Sequence, residues 1–373
     1  MIEVNIFTYY IICLVIFFIA IFNTRLGLIL LFLNVPIVLY CIQSNGADYE
    51  HYKADYETAR QIATYPYFYT FSSLTAEPFY KIYSAFIKVI TDINYSGFLA
   101  VNFIFCFSIY YIFTPFNKKS CIINHLFWLM TLPVIIPTIF YASPRSSLSY
   151  ILILAGFFCL LRDKKIFSGI LFFAGGMLHS QYLAISFILF FAGYFNLGAI
   201  PYVKNRFILF YILVSLSFVV VLKSISIILP NISSLLSFLP SAEVATGKLH
   251  YLTSNNTGFR LTSILSIIIF PIFSLLLYKR YIKLSEVFNI DINIAWRLCF
   301  LFLLITAFGL AINVAFFSNP HLSGRLSRFS DYTSLALLIP LVLICYFNRI
   351  KAVMILSIFL LLAPLLYPTV YPI

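Results

Sequence analysis

Long apolar runs broken by short polar connections fill most of the chain. They fall at roughly 6–22, 27–42, 97–114, 121–139, 147–161, 166–178, 181–195, 207–229, 260–278, 295–317, 332–347 and 352–371. A bilayer demands about 17–25 mostly apolar residues per helix. The pattern therefore predicts an all-α integral membrane protein with about twelve transmembrane helices. The short alternating segments of a transmembrane barrel do not occur. The runs 166–178 and 181–195 are short and meet at His179, which predicts tilted helices or a helix broken there. Pro133 and Pro137 predict a kink in the run 121–139.

Two outer-loop stretches follow another pattern. From Glu77 to Ile90, the residues Phe79, Ile82, Tyr83, Phe86, Ile87 and Ile90 share one stripe, with Lys81, Ser84 and Lys88 opposing it. Pro78 suits a first helical turn. Such a helix reaches only about 20 Å, against a hydrocarbon core of about 30 Å, so it is expected to lie in the outer interface. Just upstream, Asn45–Tyr56 is rich in polar groups. As a helix it would set Asp48, His51, Tyr52, Asp55 and Tyr56 on one face, which suits sugar binding. The same stretch also reads as a solvated helix between two spans.

Composition agrees with the pattern. The residues are 62% hydrophobic and 10% charged, with a mean hydropathy of +1.00, more than a soluble domain could bury. The seven cysteines lie in or beside apolar segments without metal spacing and read as small apolar residues. The first apolar run lacks a basic leader and a small-residue cleavage site, so it is expected to stay as a span. Repeats, low-complexity tracts and a soluble domain are not seen, and 1–373 reads as one polytopic domain. Its longer outer loops are 43–96, which holds the amphipathic helix, and 230–259.

The net charge of +12 is a topology signal. Fourteen cations, among them Arg25, Lys118, Arg162, Lys164, Arg206, Arg280, Arg297 and Arg349, fall in alternate connections with only Asp163, Glu286 and Asp291 beside them. These connections are expected to be cytoplasmic and both termini outward. The basic excess then gives no reason to expect nucleic acid. Nine of the twelve acids and four of the five histidines fall on the other side.

That outer side holds the candidate chemistry. Arg145 and Ser146 stand at a helix start, where free N–H groups favour an anion. Arg325 and Arg328 are three residues apart, so one helical face could present both. With Arg145 they form a candidate diphosphate clamp, since the guanidinium fork matches phosphate oxygens; contact with lipid headgroups is the plainer reading. Arg260 joins the same outer side. Asp48 and Glu77 are candidate general bases for an acceptor hydroxyl, and His179 can share that role or orient substrate. Glu77 also reads as a helix cap before Pro78, and His179 as a satisfied histidine at a helix junction. Asp48 and Asp55 lie too far apart on a helix to grip one ion, and HExxH, Walker, GxGxxG and Asp-x-Asp signatures are absent, so no metal or nucleotide cofactor is expected.

Gly46-x-Asp48-x-x-x-Tyr52-x-x-x-Tyr56, Glu77-Pro-Phe-Tyr, Arg145 at a span head, His179 after Gly175-Gly176, and Arg328-x-x-x-Tyr332 occur in this order. Together they resemble the Wzy-type polysaccharide polymerases, within them the EpsG-like group. The arginine that often precedes Gly-x-Asp is replaced by Gln43 or Asn45, and Ser146 stands where glutamine commonly follows the arginine. The resemblance implies a GT-C-like polymerase architecture in a bacterial cytoplasmic membrane, with its active site at the outer face. It implies a glycosyltransferase for O-antigen or capsule units, whose donor and acceptor are undecaprenyl-diphosphate-linked oligosaccharides. Tyr49, Tyr52 and Tyr56 would stack on sugars, Tyr332 would join the substrate site, and a chain-length regulator and a flippase would be partners. An O-antigen ligase using His250, a lipid-linked oligosaccharide flippase and a membrane acyltransferase are the alternatives. Lys223 as the one span charge disfavours transport, and His125 alone at the inner side gives an acyltransferase little to work with.

Overall fold

The structure, a computed structural model, describes residues 6–41, 49–64, 78–116, 121–199, 205–236 and 261–366. Asp48, Glu77, His250 and Arg260 therefore lie outside the described residues. Every regular element within them is helical. The helices are α1 (Ile6–Phe22), α2 (Thr24–Cys41), α3 (Tyr49–Thr64), α4 (Pro78–Thr91), α5 (Tyr95–Phe113), α6 (Cys121–Thr131), α7 (Pro144–Leu161), α8 (Lys165–Leu178), α9 (Leu183–Tyr194), α10 (Phe207–Leu236), α11 (Leu261–Lys279), α12 (Tyr281–Phe288), α13 (Ile292–Ala315), α14 (Pro320–Leu326), α15 (Arg328–Thr333), α16 (Ile339–Tyr346) and α17 (Arg349–Leu366). Within the described residues, each predicted apolar run falls mostly on helix. By length and hydropathy, six helical stretches among the described residues can cross a membrane, half the number the runs predict. The others, such as α8 and α9, are shorter apolar helices.

Three stretches form the centre. In the apolar 18-residue windows of α7, α13 and Arg328–Tyr346, 89% of the residues are buried, whereas in that of α10, within Phe207–Ile228, only 11% are. A helix apolar on all sides is stable only where neighbours surround it. α13 supplies this: it packs against α9, α10, α11 and α15. α7 is enclosed by α5, α8 and α9. In α10 the same composition faces outward, as a lipid-facing helix requires.

The prolines do more than kink. α6 ends at Thr131, a turn follows, and Ile136–Tyr141 is π-helical, with Ala142 N–H donating to the Pro137 carbonyl at 3.3 Å. Proline at 137 has no N–H for the carbonyl of Pro133. That orphan carbonyl instead accepts the Tyr10 hydroxyl at 3.2 Å, and the Leu132 carbonyl accepts Tyr9. Side chains from a neighbouring helix thus satisfy backbone groups where lipid offers no partner. A second π-helical segment, Ser334–Leu338, follows α15, and the Tyr332 hydroxyl donates to Thr138 at 2.8 Å, joining the two.

α8 and α9 form a hairpin through the turn at Ser180–Tyr182. Gly175 and Gly176 make its packing possible. A Cβ on Gly175 would lie 2.6 Å from Ile153 Cγ1 and 3.1 Å from the Ser149 carbonyl oxygen, while one on Gly176 meets chiefly the end of the Leu183 side chain. The backbone oxygen cannot move aside, whereas a leucine tip can. Gly175→Ala is expected to cost about 1–3 kcal/mol, more than Gly176→Ala. Thermal unfolding in detergent checks this, and the reverse order would refute it.

The basic connections gather at one end. Arg162 donates to the Thr114 carbonyl at 2.6 Å, Arg297 pairs with Asp163 at 2.6 Å, and Arg349 donates to Thr24. Arg280 lies over the Tyr346 ring at the same end. A cavity of about 520 Å³ opens there, lined by Arg162, Asp163, Asp291, Trp296 and Arg297 among others. Its arginines are already engaged by the protein, so it is read as framework.

Candidate functional site

At the opposite end, four elements converge. α7 begins with Ser143-Pro144-Arg145, with proline at the first turn, where its missing N–H costs nothing. The expected hydroxyl cradle is turned inward. Ser146 and Ser147 are buried; Ser146 bonds Ser143 at 2.7 Å, and Ser147 donates to the Pro144 carbonyl at 2.7 Å and accepts from Asn102 at 2.8 Å. These hydroxyls fix the start of α7 to α5 and are not free for an anion. Arg145 is what α7 presents. It is half-buried, with its guanidinium 5.0 Å from the centre of the Tyr52 ring.

The polar stretch folds as α3, though not with its expected face. Tyr49, Tyr52 and Tyr56 turn inward and are buried, while His51 and Asp55 turn outward and meet each other at 3.8 Å. The expected single face is split because the tyrosines gain more from burial than the histidine and carboxylate could. Tyr56 stacks on Phe98 with centroids 4.6 Å apart and donates to the Ile93 carbonyl at 3.2 Å; burial pushes its hydroxyl up to about 12. Tyr52 meets Tyr80 edge-on at 5.9 Å. Tyr332, buried, spends its hydroxyl on Thr138. Thus Tyr52, Tyr56 and Tyr332 all have packing roles at the edge of the site.

α4 lies against α3. Its inward face carries Tyr80, which is buried, and among the described residues its hydroxyl has no hydrogen-bond partner. Burial holds that hydroxyl well above the usual phenol range, Tyr95 and Tyr52 add to the effect, and Arg145 opposes it. Tyr80 is therefore a proton-bearing donor beside the arginine. The Tyr95 hydroxyl is likewise buried without a partner.

On the other side of Arg145 lies the α8–α9 turn. His179 is 2% exposed, its Nε2 lies 3.1 Å from Gln181 Oε1, and its ring meets Tyr182 edge-on at 5.0 Å. Tyr182 is fully buried, its hydroxyl has no hydrogen-bond partner among the described residues, and both Arg328 and Arg145 act on it electrostatically. Helices far apart in sequence thus bring two arginines into electrostatic reach of one buried phenol beside a histidine. Arg325 and Arg328 stand on two successive helices: α14 ends at Leu326, Ser327 intervenes, and α15 begins at Arg328.

Sequence reasoning overlooked three contributors. Tyr80 and Tyr182 lie inside the quoted motifs but were not singled out. Asp331 stands three residues after Arg328 and is the one buried carboxylate among the described residues, 9% exposed. Its Oδ1 accepts from Ser266 at 2.7 Å and its Oδ2 from Ser327 at 2.8 Å. An acid inside a membrane helix was a usable signal. Its burial depends on α11, which no local pattern reveals. Among the described residues no cluster of metal-ligating side chains occurs.

The EpsG family model matches residues 28–372. The chain belongs to the EpsG family. Membership makes it a polysaccharide-polymerase-like membrane protein. No curated protein and no solved structure matches it.

Proposed function

We propose that this EpsG protein is a repeat-unit polymerase: a membrane glycosyltransferase that joins undecaprenyl-diphosphate-linked oligosaccharides at the outer face of the cytoplasmic membrane. The observation that carries the reading is the grouping of Arg145, Arg328, buried Tyr182 and His179 at the end opposite the basic connections: both arginines act electrostatically on Tyr182, whose ring meets His179. In the reaction, the acceptor hydroxyl oxygen forms a bond to the anomeric carbon of the growing glycan. The bond from that carbon to the diphosphate breaks, and the lipid diphosphate leaves with the electron pair. Arg145 and Arg328 stabilise the charge that develops on it, and Tyr80 and Tyr182 supply O–H donors nearby. Arg325 belongs to the outer rim of this clamp, and Arg260, assigned to the same outer side from the sequence, is a further candidate for substrate binding. The acceptor proton goes to Asp48, Glu77 or His179. Within this reading the helices form twelve spans, with α4 in the outer interface.

Purified protein in proteoliposomes, given lipid-linked repeat units, is expected to yield a ladder of chain lengths. Transfer to lipid A core without a ladder would make it a ligase, and movement of units without transfer a flippase.

The base is separable by substitution. A general base contributes roughly 10²–10⁴ in rate. If a carboxylate takes the proton, Asp48→Asn or Glu77→Gln should bind donor normally and form no polymer, while His179→Gln keeps most activity. The opposite outcome assigns the base to His179, whose buried contact with Gln181 fixes its ring.

A further inference from the structure

α5 carries one amide side chain in nineteen mostly apolar residues, Asn102, and it is fully buried. A buried amide is costly in an apolar helix unless its N–H and its oxygen both find partners. Here two different helices supply them. The Tyr83 hydroxyl of α4 donates to Asn102 Oδ1 at 3.2 Å, and Asn102 Nδ2 donates to Ser147 Oγ of α7 at 2.8 Å. Ser147 in turn donates its proton to the Pro144 carbonyl at 2.7 Å. That carbonyl belongs to the peptide bond that leads into Arg145.

The relay has a direction. The Pro144 carbonyl can only accept, so it takes the serine proton, and Ser147 Oγ accepts from the amide N–H. The amide oxygen then faces the phenol. A carboxylate at 102 would have no N–H to give and would draw the serine proton away from Pro144. A leucine of the same shape would meet neither partner.

Both ends of the relay reach the site. Tyr80 stands three residues before Tyr83, so the two share a face of α4, about one turn apart. The Phe98 and Phe105 rings of α5 hold Tyr83 in place, with centroids 5.8 and 5.9 Å away. Arg145 lies over the Tyr52 ring, 5.0 Å from its centre, and Tyr80 meets the same ring edge-on at 5.9 Å.

We infer that Asn102 is a positioning residue: it sets the register between α4 and the head of α7, and so holds Tyr80 and Arg145 in place for one diphosphate. This deepens the proposed function and rests on its choice of a lipid diphosphate as substrate. Asn102 touches no substrate, and its effect passes through Tyr83 and Ser147.

The test reads register and binding separately, on the full chain in nanodiscs. A fluorine on the Tyr80 ring reports its surroundings by NMR without any ligand, and Arg145→Gln calibrates the signal. Asn102→Leu is expected to shift or split that signal. A signal that stays at the wild-type position in Asn102→Leu would overturn the inference. Affinity for undecaprenyl diphosphate, measured well below each variant's unfolding midpoint, gives the second reading. Asn102→Leu should weaken it about tenfold, the scale of one lost hydrogen bond. Tyr83→Phe and Ser147→Ala should each weaken it about threefold to tenfold, and together no more than Asn102→Leu, because either one breaks the same relay. Losses that multiply would mean two unrelated packing bonds and would sink the relay, as would wild-type affinity in Asn102→Leu. Tyr83→Phe, which removes a single oxygen, carries the fluorine measurement if Asn102→Leu does not fold. Wild-type protein that binds no diphosphate would refute the substrate reading, and the fluorine signal alone then decides for or against Asn102.

Discussion

Arg145→Lys is expected to lower polymer formation by about 10²-fold while the protein stays folded and in the membrane. Lysine keeps the charge but has no planar fork, so it cannot hold two phosphate oxygens at once. It also lacks the flat guanidinium that lies over Tyr52, 5.0 Å from the ring centre. Arg145 lies over the Tyr52 ring and acts electrostatically on both Tyr80 and Tyr182, which ties it to each part of the site. Arg328→Lys should behave alike, since Arg328 also acts on Tyr182. Arg325→Lys should cost less, because Arg325 ends a separate helix before the Ser327 break. Rates of chain growth in proteoliposomes, with expression and unfolding midpoints as controls, check all three. Wild-type chain lengths from both Arg145→Lys and Arg328→Lys would end the clamp reading.

How much of this was legible in the sequence follows from range. Apolar runs locate helices because backbone groups in lipid must bond within their own segment. Pro133 and Pro137 announced a break for the same local reason, though not the tyrosines that repair it. Orientation was harder. The apolar stripe of α4 is exposed and its inward side carries Tyr80, the reverse of a soluble helix, because lipid can cover the stripe. In α3 the polar residues could be counted, but not which of them would turn in. The split between Tyr52 and His51 depends on Tyr80 and Tyr95, which are supplied by other helices. Arg145, His179 and Arg328 were each visible as outer polar residues at helix ends. Their convergence on Tyr182 was not, since it depends on how α7, the α8–α9 hairpin and α15 pack.

Asp331 carries the second large expectation, this one on stability. Its two oxygens accept one hydroxyl from α11 and one from Ser327, the residue that separates the Arg325 and Arg328 helices. Asp331→Ala leaves both serine hydroxyls buried without that acceptor. An unsatisfied buried polar group costs about 1–3 kcal/mol, so the pair predicts a loss of about 2–4 kcal/mol. Asp331→Asn should lose less, because the amide oxygen still accepts one hydroxyl and the other can turn to accept from the amide N–H. Replacing Asp331, Ser266 and Ser327 together by alanine should recover part of the loss, because the stranded hydroxyls go with their acceptor. Unfolding midpoints in detergent rank the variants. Activity separates support of the arginine turn from fold stability alone: if Asp331 holds Arg328 in place, Asp331→Asn weakens binding of the lipid-linked donor even at temperatures where it is fully folded. Donor affinity unchanged in Asp331→Asn, alongside a lowered midpoint, would confine this acid to holding α11 against α15.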